Sequence, residues 1–289
     1  MSIDLRDLLG RFEGRVEAGI TTAPPERDDV AEGVEMLDDD SAPITCKPLD
    51  VHAWVDGIQN SVCLGWDLSL PTCLHWVAAG GCDGARLLYV KEHMEIVGAE
   101  SSRTAIERKL AGIDVEASYL PGSEPYVVMR NVAQRLTEKR DEMEQALLAE
   151  ILAETDEYVV CDGSIANRVN SSRVLGVIKT TATRYLQDES VLWKLPKGHR
   201  SARFTIAAGR GGRYERHSCY VRLQPAERRG WDFGLVRLEA FDADLLEPLA
   251  ARVIEVAQDG SRRDDRWDRH VTPVRNCEEL LRSRRPGLF

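Results

Sequence analysis

Twice in this chain a short apolar run drives into Asp-Gly: "HAWVDGIQNS" (residues 52–61) and "EYVVCDGSI" (157–165). Each reads as a strand that closes on a carboxylate, Asp56 in the first phrase and Asp162 in the second. Between them lies the strongest helical stretch of the sequence, residues 126–157, rich in Ala, Leu, Glu and Arg and free of Gly and Pro. On a wheel of about 100° per residue, Leu147, Leu148 and Ile151 make an apolar stripe, and Glu144 stands in line with it at i to their i+3, i+4 and i+7. Glu142 and Glu150 point away. A carboxylate aimed at a core is costly unless it is paired or bound to a cation. Two readings follow. Arg140 is an i,i+4 ion-pair partner for Glu144. Alternatively, Asp56, Glu144 and Asp162 converge as hard oxygen ligands suited to Mg²⁺ or Mn²⁺. Two such ions about 4 Å apart activate a water and steady the leaving oxygen of a phosphodiester. Either Asp-Gly taken singly is ordinary turn chemistry; it is the pair, with an inward glutamate between them, that points to a metal site.

The elements that must position these groups are legible in outline. Leu5, Leu8, Leu9, Phe12 and Val16 are spaced as one face of a short N-terminal helix. The proline-rich, acidic stretch 21–43 lacks periodicity and reads as a linker or arm. This divides the chain into an N-terminal helix and acidic arm, residues 1–45, and a main domain, residues 46–289. Strands are expected at 51–57, 61–70, 85–98, 158–162, 171–180, 201–208, 217–224 and 232–241, and further helices at 243–258 and 276–284. Residues 101–125 carry no clear pattern. The sum is an α/β or α+β sheet with helices packed on it, and strand ends are where ligand sites collect in such sheets.

Composition narrows the function classes. A chain of 289 residues fits one elaborated domain. No run of about eighteen apolar residues and no secretory signal is present, so a cytoplasmic location without a membrane span is expected. The seven cysteines include no C-x-x-C pair and read as free thiols; Cys73, His75 and Cys82 form the one local cluster with metal-ligating types. A net charge of −10 argues against a general nucleic-acid coat protein. Charge is uneven, however: residues 26–40 hold eight acids and one arginine, whereas 200–237 hold nine arginines against Glu215, Glu227 and Asp232. Those arginines form either a basic surface or solvated strand faces. "GRGGR" (209–213) reads as a hairpin tip whose arginines touch phosphates. There is no phosphate loop, no H-E-x-x-H and no G-x-S-x-G, and His199, His217 and His270 are scattered.

The islands "AWVDGIQNS", "RDEMEQALLAEILAETDEYVVCDGSI", "LGVIKT" and "CYVRLQ…GLVRLEAF" together resemble the NurA nuclease family, over approximately residues 50–285. The resemblance implies a ribonuclease-H-like mixed sheet with flanking helices and a nuclease that uses two Mn²⁺ or Mg²⁺ ions. It matches Asp56, Glu144 and Asp162 to metal-binding acids and Lys179 to a lysine near the site. The family's closing motif is approximated by "HVTPVRNCEELLRSR", where Glu279, ahead of Glu278 and His270, takes the last acidic place. Arg210, Arg213, Arg222 and Arg237 are then expected on DNA. The family's partners imply a homodimer working with a HerA-type hexameric ATPase, in DNA end processing or antiviral defence, with the N-terminal helix and arm as docking elements. Asp-Gly-Ile replaces the family's usual Asp-Gly-Ser at the first phrase, and residues 90–125 offer no match. That leaves open a nuclease-like adaptor that holds DNA or an ATPase ring without turnover.

Overall fold

The computed structural model describes residues 31, 33–67, 70–110, 115–179, 183–209, 212–226, 230–257, 269 and 271–286. The expected N-terminal helix, Arg210 and His270 lie outside these. In chain order, β1 (Val34–Met36) and β2 (Ala42–Pro43) precede three long strands, β3 (Val51–Asp67), β4 (Leu70–Cys82) and β5 (Leu87–Ala99). Helix α1 (Arg103–Leu110) and β6 (Glu116–Leu120) lead to the long helix α2 (Pro125–Glu154). Then come β7 (Tyr158–Asp162), β8 (Val174–Ile178), α3 (Ser190–Trp193), β9 (His199–Arg200), β10 (Phe204–Ile206), β11 (Arg216–Arg222) and β12 (Leu235–Ala240). Helices α4 (Leu246–Val256) and α5 (Thr272–Ser283) close the chain.

The strands share one mixed sheet of order β1-β10-β11-β12-β8-β7-β3-β4-β5-β6, with β9 pairing β11 and β2. Strands β3, β4 and β5 form an antiparallel meander. Helix α2 then carries the chain back so that β7 runs parallel to β3 and β8 parallel to β7. An antiparallel three-strand meander followed by a helix and two parallel strands, ordered β5-β4-β3-β7-β8, is the ribonuclease-H-like arrangement. Proline at the first turn of α2 suits a position with no intrahelical partner for its nitrogen. The helix buries Val128, Val132, Leu136, Glu144, Leu147, Leu148 and Ile151.

Strand alternation sorts the core into two layers. Ala53 and Val55 of β3, with Val159 and Cys161 of β7, pack under α2 against Leu147, Leu148 and Ile151. Trp54 and Ile58, with Val160, Leu175 and Val177, pack on the other face against α4 and α5.

Three elements depart from expectation. The first two expected strands are one, because β3 pairs with β4 from Trp54↔Cys82 through Asp67↔Leu70, with a bulge between Cys63 and Gly65; Asp56-Gly57 is therefore no turn. Strand β4 escaped notice because it is buried along nearly its whole length, which leaves no polar alternation to read. Residues 34–43, placed in the arm, enter the sheet as β1 and β2. Asp38 holds them there through Arg203 at 2.7 Å and Arg200 at 3.2 Å.

Candidate metal centre

Strands β3 and β7 run in parallel register up to Val55↔Cys161, so Asp56 and Asp162 are the next residues on each. Neighbouring strands lie about 4.8 Å apart. By alternation Asp56 shares the face of Trp54 and Ile58, and Asp162 that of Val160. Lys179 follows β8 on the side of Leu175 and Val177, and its Nζ lies 2.9 Å from Asp162 Oδ2. The three residues that the two phrases and "GVIKT" supply thus meet at one point. The side chains of Asp162 and Lys179 keep 25% and 31% exposure.

The electrostatics are unbalanced. Burial pushes the Asp56 carboxyl up to about 8, and the Asp162 charge pushes in the same direction; Lys179 and the Gly57 N–H oppose them, and Glu144 adds a small further rise. Gly57 donates to Asp56 Oδ1 at 2.7 Å. Two carboxylates facing one ammonium form a donor set of hard oxygens short of positive charge, which fits a divalent cation.

Glu144 is buried, as the helical wheel requires, at 7% exposure. It sits on the α2 side of the sheet, over Gly57, where a Cβ would collide with its carboxylate. That close approach explains a glycine in mid-strand. Its carboxylate is engaged by Arg168, with Arg140 Nε at 3.4 Å. Burial raises its pKa, and Arg168 and then Arg140 only partly offset this. Of the two sequence readings of Glu144, the i,i+4 partner Arg140 is present and Arg168 joins it, while Glu144 and Asp56 lie on opposite sides of the sheet. The carboxylates of Asp56, Glu144 and Asp162 do not form a three-donor group with all ligand atoms within 4.8 Å of one another among the described residues.

The loop after Asp162 is fixed by a residue the sequence did not single out. Gly163 turns at φ +105°, a conformation open to glycine. Ser164 Oγ and Ile165 N then donate to Glu239 Oε2 at 2.6 and 3.0 Å. Glu239 is fully buried and also accepts from Arg216 Nε at 3.1 Å and Arg237 Nη1 at 2.5 Å. Arg213 N donates to Ala166 O at 2.8 Å, so its exposed side chain stands beside this loop. The signal for Glu239 was present in "LVRLEA": Arg237 and Glu239, two apart, share a face of a strand that is otherwise apolar. Arg168 and Arg269 were also missed; Arg269 Nη1 donates to Lys179 O at 2.5 Å.

Several expected assignments are corrected. Arg222 is fully buried and donates to the carbonyls of Phe233, Leu192 and Trp231. Arg237 is spent on Glu239 and lies 4.5 Å from the Tyr185 ring centroid. Neither can reach a phosphate from the interior. Glu279 is exposed on α5 and pairs with Arg275 at 2.6 Å; the face of α5 turned to the sheet presents Val274, Cys277 and Leu281 instead. Cys73, His75 and Cys82 do not form a metal group, because Cys82 belongs to the α5 side and Cys73 to the α2 side. All seven cysteines are free thiols. His217 shares a hydrogen bond with Thr205 and, like His199, lies on the β11 side of the sheet, several strands from Asp56. Among the described residues no helix is long and apolar enough to cross a membrane.

No protein-family model matches the chain, and no curated protein sequence does. Among solved structures, the NurA nuclease from Sulfolobus solfataricus is similar with a TM-score of 0.49 at 12% identity, covering 97% of this chain and 92% of that one. A structure of human ENDOV is similar with a TM-score of 0.32 at 14% identity, covering 80% and 82%. The catalytic domain of human Endonuclease V gives a TM-score of 0.31 at 15% identity, covering 86% and 89%.

Proposed function

We propose that this chain is a metal-dependent deoxyribonuclease that hydrolyses DNA phosphodiesters at the Asp56–Asp162 face, with two Mn²⁺ or Mg²⁺ ions as cofactor. One observation carries the reading: two carboxylates stand side by side on neighbouring parallel strands, and Lys179, paired with Asp162 at 2.9 Å, also offsets the charge of Asp56. Asp56 and Asp162 would hold the divalent ions, which would supply Lewis acidity toward a phosphate. The chain's own groups do the rest. Lys179, 2.9 Å from Asp162, would offer its ammonium to the charge that develops on the phosphate. Glu239 holds the Gly163–Ile165 loop and with it the direction of Asp162. Arg213, exposed beside that loop, positions the strand being cut by a backbone contact that carries no sequence preference.

Cleavage of a labelled single-stranded oligonucleotide with Mn²⁺, with and without chelator, tests this. Activity that chelator abolishes and Asp56→Asn or Asp162→Asn removes is the expected result; activity that survives both substitutions overturns it. The second reading is an inactive nuclease-like adaptor, favoured by the engagement of Glu144 with Arg168 and Arg140. DNA retention without any cleavage is its signature. On sequence resemblance alone the proposal extends to a homodimer docked on a HerA-type hexameric ATPase, in end processing or defence. Light scattering of the purified chain and co-elution with such an ATPase test that extension.

A further inference from the structure

On the α2 side of the sheet, away from Asp56, a row of polar residues crosses four strands where apolar ones are expected. Ser61 pairs with His75, His75 with Glu95, and Glu95 with Glu116 across β3, β4, β5 and β6. His75 and Glu95 have no exposed surface. His93 stands two residues from Glu95 on the same face of β5. We infer that His93, Glu95 and Glu116 form a second divalent-cation site, independent of the nuclease centre, suited to a transition ion such as Zn²⁺ rather than to Mg²⁺.

Geometry supports it first. One ligand atom from each of the three residues lies within 4.8 Å of the others, and His93 Nε2 is 3.7 Å from Glu116 Oε2. Donors about 2.1 Å from a tetrahedral zinc stand roughly 3.4 Å from each other. A nitrogen beside two carboxylate oxygens is the donor mixture that separates transition ions from Mg²⁺.

The second observation is independent. His75 is buried with both ring nitrogens lacking a hydrogen-bond partner, and it faces Glu95 across the β4–β5 pair. His93 Nε2 also lacks one, whereas Glu95 Oε1 and Arg135 Nε stand 3.3 Å apart as an ion pair. Buried polar atoms are nearly always satisfied, so three imidazole nitrogens without a partner in one seam mark a place built around a further polar or charged group. Ser118 and Arg135 donate to Glu95 Oε2 at 2.8 and 3.3 Å, while Oε1 lies 3.3 Å from Arg135 Nε without a hydrogen bond, a contact that a bound cation would replace.

The surrounding charge does not forbid a cation. Arg135 lies 3.3 Å from Glu95 but equally from Glu142, which Lys139 also approaches at 3.2 Å. Three carboxylates, Glu95, Glu116 and Glu142, thus face two basic groups. The ion would tie β6, the edge strand of the sheet, to β5 beneath α2.

The test uses the full-length chain carrying Asp56→Asn and Asp162→Asn, stripped with chelator and titrated with Co²⁺ as a visible stand-in for Zn²⁺. The expected result is one equivalent bound with ligand-field absorption bands and a raised Tm. Adding Glu116→Gln or His93→Ala weakens that binding by about tenfold or more. Glu116 has 59% side-chain exposure, so Glu116→Gln folds and decides the matter if His93→Ala does not. No bound Co²⁺, or binding unchanged in Glu116→Gln, overturns the proposal and leaves the row an ordinary buried ion-pair network.

Discussion

Glu239 and Asp56 are both carboxylates drawn into the same sheet, and the protein treats them in opposite ways. Glu239 has two guanidinium partners, Arg216 and Arg237, and a serine hydroxyl. Burial alone would raise its pKa, but Arg237 and Arg216 outweigh that and hold it below its usual range. Asp56 and Asp162 share one lysine, and burial with mutual repulsion pushes Asp56 up to about 8. A carboxylate with positive charge in excess around it is a structural joint; a cluster left short of positive charge is where an added cation lowers the free energy. The two are physically connected, since the Gly163–Ile165 loop runs from Asp162 to Glu239.

The largest expected effect breaks the unbalanced cluster. Asp162→Asn removes a carboxylate from the centre and lowers cleavage by roughly 10⁴-fold, about 5.5 kcal/mol of barrier, in a Mn²⁺ oligonucleotide assay, with unchanged circular dichroism. Breaking the Glu239 cluster acts on the fold. Glu239→Gln leaves Arg216 and Arg237 buried around a neutral amide and destabilises by about 3–4 kcal/mol, read from urea unfolding, and it loosens the Asp162 loop. An unfolding curve like the wild type's contradicts the joint described.

Lys179→Met keeps the length of the side chain and removes the single positive charge of the unbalanced cluster. Loss of roughly 10²-fold in kcat, with Mn²⁺ binding retained, separates help to the reacting phosphate from mere pairing with Asp162. The smallest effect is a pH dependence. In the metal-free fold Asp56 keeps its proton up to about pH 8, against 3.8 for an unperturbed aspartate. The folded state therefore binds the extra proton between those values, and metal-free stability falls as pH rises across that window. Asp56→Asn removes this slope and gains at least about 1.4 kcal/mol at pH 8, the equivalent of one pKa unit, measured by unfolding in chelator at pH 5 and pH 8.

The same contrast explains what the sequence disclosed. Asp56, Asp162 and the inward turn of Glu144 were legible because each interrupts a strong local pattern, an apolar strand or a helical stripe. The fold class followed from the order of those patterns together with family resemblance. Arg168 was not legible, because its partner Glu144 lies 24 residues away in sequence and local spacing offers no sign of it. The arginines of β11 and β12 looked like a DNA surface because charge in a strand usually means solvent. Arg216, Arg222 and Arg237 instead satisfy Glu239 and main-chain carbonyls inside the sheet. Glu279 was misplaced for a related reason: the spacing of α5 admits two acidic positions, but Pro273, Val274, Cys277 and Leu281 claim the buried face. The row Ser61, His75, Glu95, Glu116 went unread because it exists only across strands, in a register no single segment encodes.

Everything functional rests on Asp56 and Asp162 sharing divalent metal. Crystals grown with Mn²⁺ and measured near the manganese absorption edge test it most directly. The account predicts an anomalous peak within about 2.2 Å of a carboxylate oxygen from each of the two aspartates. A saturated crystal with no peak between them contradicts it.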